Sequence, residues 1–239
     1  MNAIVLAAGG GRRLAPADWH KPKCLLPFGD HTLLGRIVMA ACNAGVTHLT
    51  LVVGFRRELV EAAIAGCPIT VELIVNEDYS VTNTIYSLWL ARHRLDDDAL
   101  FFNADVLFDQ RIIPRLIAGP NSTLAVEAGR CGDEEVKVIA DSEGRVRRIG
   151  KHLPPGESLG EFIGVARFAA DAGPAIRESL EHQVGRLVRK DLFFEAAIDP
   201  ILDRHAFHAV PLDDLRAIEI DTPDDLSRAR ALWRSGAVM

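Results

Sequence analysis

Short apolar runs alternate with longer amphipathic stretches over the first half of the chain. Continuous apolar runs bounded by turn residues are typical of buried strands, and they occur at residues 2–8, 48–54, 69–75 and 99–103. Apolar residues at helical spacing occupy residues 32–45, 56–65 and 83–95 between them. Strands that alternate with helices in this way predict an α/β fold, with a mostly parallel sheet flanked by helices.

The second half of the chain is richer in closely spaced strands. Apolar runs joined by glycine-containing turns predict strands at residues 122–127, 134–140, 144–149, 161–168, 206–211 and 216–220. Helical spacing returns at residues 170–182 and 191–199, and Thr222 followed by Pro223 predicts the start of a last helix. Since no linker or internal repeat separates these elements, we expect one domain over residues 1–239, with halves at 1–120 and 121–239.

Composition narrows the class of protein. The chain has 239 residues, 49% of them hydrophobic, and carries 27 Lys and Arg against 33 Asp and Glu, a formal net charge of -6. The apolar share excludes a disordered chain, and the acidic balance argues against a broad nucleic-acid-binding face. No apolar run is long enough for a membrane span. Four cysteines without metal-ligand spacing predict reduced thiols in a cytoplasmic protein.

A glycine-rich loop directly follows the first predicted strand. Its residues are Leu6, Ala7, Ala8, Gly9, Gly10, Gly11, Arg12 and Arg13. Glycines allow backbone N–H groups to approach a phosphate chain closely, and arginines add fork-shaped donors. The loop has neither the Gly-Lys-Ser/Thr ending of a Walker loop nor, because position 14 is leucine, the third glycine of a dinucleotide-binding fingerprint. An ordinary flexible turn is the alternative interpretation.

One of only five lysines, Lys23, lies in a second segment, PKCLLP. Together, LAAGGGRRL and PKCLLP resemble the signature of the nucleotidyltransferases that join an NTP to a phosphorylated small molecule. The resemblance implies a Rossmann-like nucleotidyltransferase fold with a smaller β-rich region, in which residues 1–120 bind the nucleotide and residues 121–239 the acceptor. It also implies that the glycine loop wraps the phosphates, while Arg13 and Lys23 serve catalysis by neutralising phosphate charge.

Two predicted strands end in a carboxylate, at Asp105 and at Asp221. The carboxyl ends of parallel strands are where α/β sheets bind ligands. Mg²⁺ typically takes one or two protein carboxylates and completes its shell with phosphate oxygens and water. The resemblance implies the same pair as metal ligands, with Asp105 also part of the nucleotide site. Asn103 stands where that family has an additional aspartate, so we do not extend the metal role to residue 103.

The segments NEDY, from Asn76, and NTIYSLWLA, from Asn83, resemble those of phosphocholine cytidylyltransferases and related enzymes for small alcohols, with Thr84 as one departure. An amide side chain can satisfy the mixed donor and acceptor edge of cytosine. We therefore expect Asn76 and Asn83 to bind the nucleotide. The aromatic and apolar residues that follow are expected mainly to pack a helix.

The expected acceptor site lies in the second half. The segments around Lys151 and Glu161 resemble acceptor-side segments of cytidylyltransferases that act on inositol phosphate or on phosphonates. Lys151 would hold the attacking phosphate or phosphonate, and Glu161 would contact a hydroxyl, an amine or a second metal ion. Asp191 and Glu195 are four residues apart on a predicted helix, hence on one face, and are expected to line the distal end of the acceptor.

The resemblance thus implies a CTP-dependent cytidylyltransferase that uses Mg²⁺ and transfers CMP to a small acceptor, with release of pyrophosphate. Phosphocholine, inositol phosphate and an aminoethyl- or hydroxyethylphosphonate all fit this charge pattern. Two alternatives stay open: a sugar-1-phosphate nucleotidyltransferase using UTP or another NTP, and a nucleotide-binding relative without turnover. No nucleic-acid or membrane partner is expected, and the assembly state is open, with a homodimer as one option.

Overall fold

The computed structural model describes residues 1–11, 13–14 and 20–238. The strands are β1 (Asn2–Ala7), β2 (Pro27–Phe28), β3 (His31–Thr32), β4 (His48–Val53), β5 (Thr70–Val75), β6 (Ala99–Asn103), β7 (Val106–Phe108), β8 (Ser122–Ala128), β9 (Lys137–Ala140), β10 (Val146–Gly150), β11 (Gly160–Phe168), β12 (Phe207–Pro211) and β13 (Ala217–Glu219). The helices are α1 (Leu33–Asn43), α2 (Arg57–Ile64), α3 (Thr84–Leu90), α4 (Ile112–Ala118), α5 (Gly173–Leu180), α6 (Glu195–Ile198) and α7 (Pro223–Arg234).

A nine-stranded sheet forms the centre of the molecule, in the order β10-β9-β11-β6-β1-β4-β5, with β8 joining β11 to β12. Strands β6, β1, β4 and β5 run parallel. Strand β11 runs antiparallel to β6 and begins the β-rich part of the sheet. The predicted α/β fold, with its parallel sheet and β-rich extension, is therefore confirmed.

The order of the parallel strands reverses between β1 and β6. From β1 the chain proceeds outward through β4 and β5, and then returns to the other side of β1 as β6. Ligands of open α/β sheets bind at such a switch point, in the crevice outside the carboxyl ends of the strands. The loops that follow Ala7 and Asn103 border this crevice.

Alternate side chains of β1 enter two different cores. Ala3 and Val5 pack with α1 and α4 on one face of the sheet, whereas Ile4 and Leu6 pack with α3 and α5 on the other. Because both faces are covered, the strand is a continuous apolar run without polar alternation. A third, smaller core joins α7 to the segment around Leu26 and Phe28.

The expected helix at residues 191–199 is the main error in the predicted elements. Residues 191–194 form turns, and α6 begins only at Glu195. The backbone of this stretch bonds to α3 instead: Asn83 N donates to Lys190 O at 2.8 Å, and Ile85 N donates to Leu192 O at 3.2 Å. The apolar spacing thus reflects packing against α3. Among the described residues, no helix is long and apolar enough to cross a membrane.

Candidate active site

A cavity of about 1160 Å³ opens at the switch point between β1 and β6. Thirteen of the residues proposed from the sequence line it: Leu6, Ala8, Gly9, Gly11, Arg13, Lys23, Asn76, Asn83, Asp105, Lys151, Glu161, Glu195 and Asp221. They come from both halves of the chain. The fold therefore brings the expected nucleotide and acceptor residues to one cavity.

Three of the proposed residues have a different place, and a fourth cannot be assigned one. Ala7 packs into the core beneath the sheet, and Gly10 lies against the ring of Phe55. Arg12 is outside the described residues. Asp191 lies in an exposed turn outside the cavity lining. The expectation that it shares a helix face with Glu195 is wrong, because the helix begins after it.

Gly11 has a backbone conformation and surroundings that require glycine. Its φ is +59°, and a Cβ there would lie 2.7 Å from Cγ of Lys23. A hydrogen bond from Leu14 N to Gly11 O, 3.1 Å long, closes a turn that starts at Gly11. The loop and the lysine side chain therefore pack directly against each other, which places Lys23 beside the expected phosphate-binding backbone.

Lys23 Nζ lies between two carboxylates. It donates to Asp221 and, at 3.4 Å, to Asp105, while Arg13 donates to Asp221 at 2.6 Å. Burial by itself lowers the pKa of Lys23, but the Asp105 and Asp221 carboxylates outweigh it and hold that pKa above its ordinary value. Lys23 thus stays cationic in a largely buried position. Buried neighbours on both sides, Cys24 and Leu26 among them, fix the segment.

Two short strands bring Asp105 and Asp221 together. Strand β13 pairs antiparallel with β7, and Ile220 N donates to Asp105 O at 3.0 Å, just beyond the last strand pair. Asp221 then leads into α7, whose cap residue Thr222 accepts from Asp225 N while the Asp225 carboxylate accepts from Thr222 N. This capping box fixes the chain direction immediately after Asp221.

Glu219 completes a group that sequence analysis did not identify. One carboxylate oxygen from each of Asp105, Glu219 and Asp221 lies within 4.8 Å of the others. Burial and the neighbouring carboxylates raise the pKa of Asp105 and raise that of Glu219 to about 8. The available signal was the spacing, because residues two apart on a strand point to the same face.

Oxygen donors of this kind suit Mg²⁺, which is a hard cation. A bound cation would also be favourable electrostatically, since burial and then the charges of the neighbouring carboxylates raise the pKa values of Asp105 and Glu219. The residues present therefore fit a magnesium site. Asp105 and Asp221 are the ligands expected from the sequence, and Glu219 is an additional candidate.

The orientation of the Asn76 amide follows from its partners. Thr82 Oγ1 donates its hydrogen to Asp78 O at 2.9 Å, so it can only accept from Asn76. Asn76 Nδ2 accordingly donates to Thr82 Oγ1 at 3.1 Å and to Ser87 Oγ at 3.2 Å. Asn76 is 2% exposed and its Oδ1 has no hydrogen-bond partner among the described residues. The cavity wall therefore carries a fixed, free acceptor.

Asn83 has a structural part in addition to the one expected from its amide. Its side chain caps α3 by accepting from Thr84 N at 2.8 Å. Thr84 Oγ1 in turn accepts from Phe194 N at 2.9 Å. Asn83 lines the cavity, but its carbonyl oxygen is already engaged, which leaves its amide hydrogens as the groups available to a ligand.

Three of the residues expected to bind the acceptor, Lys151, Glu161 and Glu195, line the same cavity. Lys151 Nζ is 4.3 Å from the ring centre of Phe193 and 4.0 Å from Glu134 Oε2. Burial raises the pKa of Glu161 and of Glu195 to about 7 in each case. Lys137, buried and not expected as a site residue, donates to the carbonyls of Asp133, Glu135 and Lys151. It thereby ties two cavity-wall segments together.

Comparison with known proteins agrees with this architecture. Residues 3–192 match the family model described as the MobA-like NTP transferase domain. The chain is 30% identical over 96% of its length to a CMP-5'-(3-aminopropyl)phosphonate synthase of Streptomyces rubellomurinus, of which it spans 38%. It is 26% identical over 95% of its length to a 2-aminoethylphosphonate cytidylyltransferase of Lancefieldella rimae, of which it spans 90%.

A solved structure shows the same fold. The CTP:phosphocholine cytidylyltransferase of Streptococcus pneumoniae superposes with a TM-score of 0.81 at 20% identity, over 97% of this chain and 98% of that one. At that identity the likeness concerns the fold alone. It extends beyond residue 192, so it includes the strand and helix that carry Asp221.

Proposed function

The chain belongs to the MobA-like NTP transferase domain family, and we propose that it transfers a cytidylyl group from CTP to a phosphate or phosphonate oxygen of a small polar acceptor. Pyrophosphate is the second product. The observation that carries the proposal is the single cavity in which Lys23 and Arg13, a carboxylate triad and the free acceptor of Asn76 all meet. The activities for which the similar proteins are named support cytidylyl transfer over transfer of another nucleotide.

The reaction needs charge neutralisation more than proton transfer. An ionised oxygen of the acceptor attacks the α-phosphorus in line; the new P–O bond forms as the bond from the α-phosphorus to the pyrophosphate oxygen breaks. Since the nucleophile is already anionic, no general base is required, and positioning with electrostatic stabilisation provides the catalysis. Lys23 and Arg13 would supply the positive charge, and the glycine loop would present backbone N–H groups to the phosphates.

Asp105 and Asp221, with Glu219 beside them, would hold Mg²⁺. When bound, the ion supplies Lewis-acid neutralisation of the phosphate oxygens. The chain's own contribution is to hold these carboxylates in place around one point. Lys23 and Arg13 compensate the charge of Asp105 and Asp221 in the structure.

Asn76 accounts for the choice of cytosine. Its Oδ1 can accept a hydrogen from the exocyclic amino group of cytosine, whereas uracil presents a carbonyl oxygen at the same position. A buried acceptor without a donor costs about 1–3 kcal/mol. We therefore expect CTP to be preferred over UTP by about 10- to 100-fold in kcat/KM.

The test is pyrophosphate release measured with each of the four NTPs and a panel of phosphate and phosphonate acceptors. Turnover with CTP and a clear preference over UTP is the expected result, and Asn76→Ala should reduce that preference. Asn43→Ala, at an exposed position at the end of α1, is the matched control. A preference for UTP with a sugar 1-phosphate would refute the proposal in favour of a sugar nucleotidyltransferase, and CTP binding without turnover would indicate a non-catalytic relative.

A further inference from the structure

The acidic wall of the cavity has a chemistry that the transfer reaction itself does not use. We propose that this wall, formed by Glu195, Glu161 and Glu135, binds a primary ammonium group, so that the acceptor is an ω-amino alkyl phosphonate or phosphate. The inference rests on the proposed function and specifies its substrate class. It distinguishes amino acceptors from neutral sugar or alcohol phosphates.

Glu195 is the strongest evidence. It is the first residue of α6, its side chain is 3% exposed, and it lines the cavity. Its Oε2 has no hydrogen-bond partner among the described residues. A buried carboxylate oxygen without a donor, on a residue that lines a ligand cavity, is a costly arrangement unless a donor arrives with the ligand.

Two other carboxylates, Glu135 and Glu161, line the same cavity. Oε2 of Glu135 is also buried and has no hydrogen-bond partner in the described part of the chain. Glu161 lies on β11, opposite Glu127 on one side and Lys137 on the other. Burial, followed by the charges of Glu135 and Glu127, keeps the pKa of Glu161 well above that of a solvated glutamate. The wall therefore has an excess of negative charge in a poorly solvated place, which a ligand cation would compensate.

Lys151 does not by itself compensate the negative charge of this wall. Its Nζ lies over the Phe193 ring, and the carboxylate that it approaches is Glu134, at 4.0 Å. It is near enough to Glu195 and Glu161 to lower their pKa values somewhat, yet both remain raised to about 7. Lys151 thus acts on Glu161 and Glu195 by its charge, while its own contacts are with Phe193 and Glu134.

The geometry favours a primary over a quaternary ammonium. An oxygen without a partner needs an N–H donor, and a primary ammonium has three, whereas a trimethylammonium group has none. Quaternary ammonium groups are typically held against several aromatic faces. Here Phe193 already faces Lys151, and Phe162 is buried at 2% exposure.

Matched acceptors test the inference on the wild-type protein. Pyrophosphate release from CTP is measured at pH 8 with 2-aminoethylphosphonate, 2-hydroxyethylphosphonate and ethylphosphonate, which differ only at the distal group. We expect kcat/KM for the amine to exceed that for the other two by about 10- to 100-fold, the value of a charge-assisted hydrogen bond. Phosphoethanolamine should likewise exceed phosphocholine.

Glu195→Gln keeps the size of the side chain but removes its charge, and should reduce the preference for the amine over the hydroxyl at least tenfold, which corresponds to the loss of one such bond. Glu161→Gln is the second variant, and Glu61→Gln, exposed on α2, is the matched control. Thermal unfolding of each variant establishes that it is folded.

The outcomes separate the two proposals. Turnover with CTP but equal efficiency for amine and hydroxyl acceptors, or a better rate with phosphocholine than with phosphoethanolamine, would overturn the ammonium site and leave cytidylyl transfer standing. An unchanged preference in both glutamine variants would also overturn it. Absence of turnover with CTP and every acceptor would overturn the proposed function together with this inference.

Discussion

Gly11→Ala tests how closely catalysis depends on the contact between the glycine loop and Lys23. The added Cβ would lie 2.7 Å from Lys23 Cγ, whereas ordinary contacts begin at 3.4 Å, so the lysine has to retreat by the difference, about 0.7 Å. This movement takes Nζ away from its place between Asp105 and Asp221. A misplacement of about 1 Å can cost about 10²-fold in rate. We expect kcat to fall by about 10- to 100-fold.

The same substitution also strains the backbone, because Gly11 has a φ of +59°. A left-handed residue with a Cβ costs about 1–2 kcal/mol, which should appear as a lower free energy of unfolding. Gly45→Ala isolates this effect. Gly45 has a φ of +77°, lies beyond α1, and has no atom within 4 Å of its Cβ position. Both variants should lose similar stability, but only Gly11→Ala should lose turnover.

The assay combines two measurements on each variant. Urea unfolding gives the stability, and pyrophosphate release from CTP with 2-aminoethylphosphonate, at saturating concentrations, gives kcat. Equal turnover of the two alanine variants would refute the reasoning, because it would show that the position of Lys23 does not depend on the loop. A loss of turnover in Gly45→Ala as large as that in Gly11→Ala would refute it as well.

Three further predictions concern the metal, the helix cap and pH. EDTA should abolish turnover and Mg²⁺ should restore it, and Asp105→Asn should raise the Mg²⁺ concentration needed for half-maximal rate; full activity in EDTA would contradict the carboxylate site. Thr222→Ala should lower the free energy of unfolding by about 1 kcal/mol in urea titrations, since it removes the acceptor for Asp225 N; an unchanged midpoint would contradict this. Burial raises the pKa of Glu195 to about 7 from an ordinary 4.5, although the Lys151 charge lowers it somewhat. The unfolded chain therefore ionises this group first, and Glu195 by itself should lower the free energy of unfolding by about 3 kcal/mol between pH 4.5 and 7. Glu161 and Glu219, whose pKa values are also raised, add to the fall in the wild type. Glu195→Gln should therefore show a fall that is smaller by about 3 kcal/mol, and parallel stability profiles for the two proteins would show that the pKa of Glu195 is not raised.

Sequence patterns were most informative where burial alone decides the structure. The four parallel strands are predicted nearly residue by residue, because a strand covered on both faces is a continuous apolar run. The glycine loop is recognisable because left-handed backbone favours glycine, and Lys23 because the chain has only five lysines. Asp105 and Asp221 were both expected at strand ends, and they do meet.

What the sequence could not predict depends on pairing between distant segments. A strand at residues 216–220 was expected, but β7, its partner, is three residues long and too short for a distinct pattern, and it is their pairing that brings Glu219 to Asp105. Residues 191–194 have helical apolar spacing, yet their backbone bonds to α3, a contact invisible along the chain. Lys137 resembles any lysine in sequence, whereas its three carbonyl partners arise only from the fold.

The pairing of β7 with β13 also bears on the biosynthesis of the protein. Domains generally begin to fold from the N-terminal side during synthesis, and all four parallel strands are complete by Asn103. A growing chain can therefore assemble its central sheet and glycine loop long before Asp221 leaves the ribosome. Until then Asp105 lacks the carboxylates of Glu219 and Asp221, so the proposed magnesium site is incomplete on the nascent chain. The site is completed only when the last strand and helix have been made.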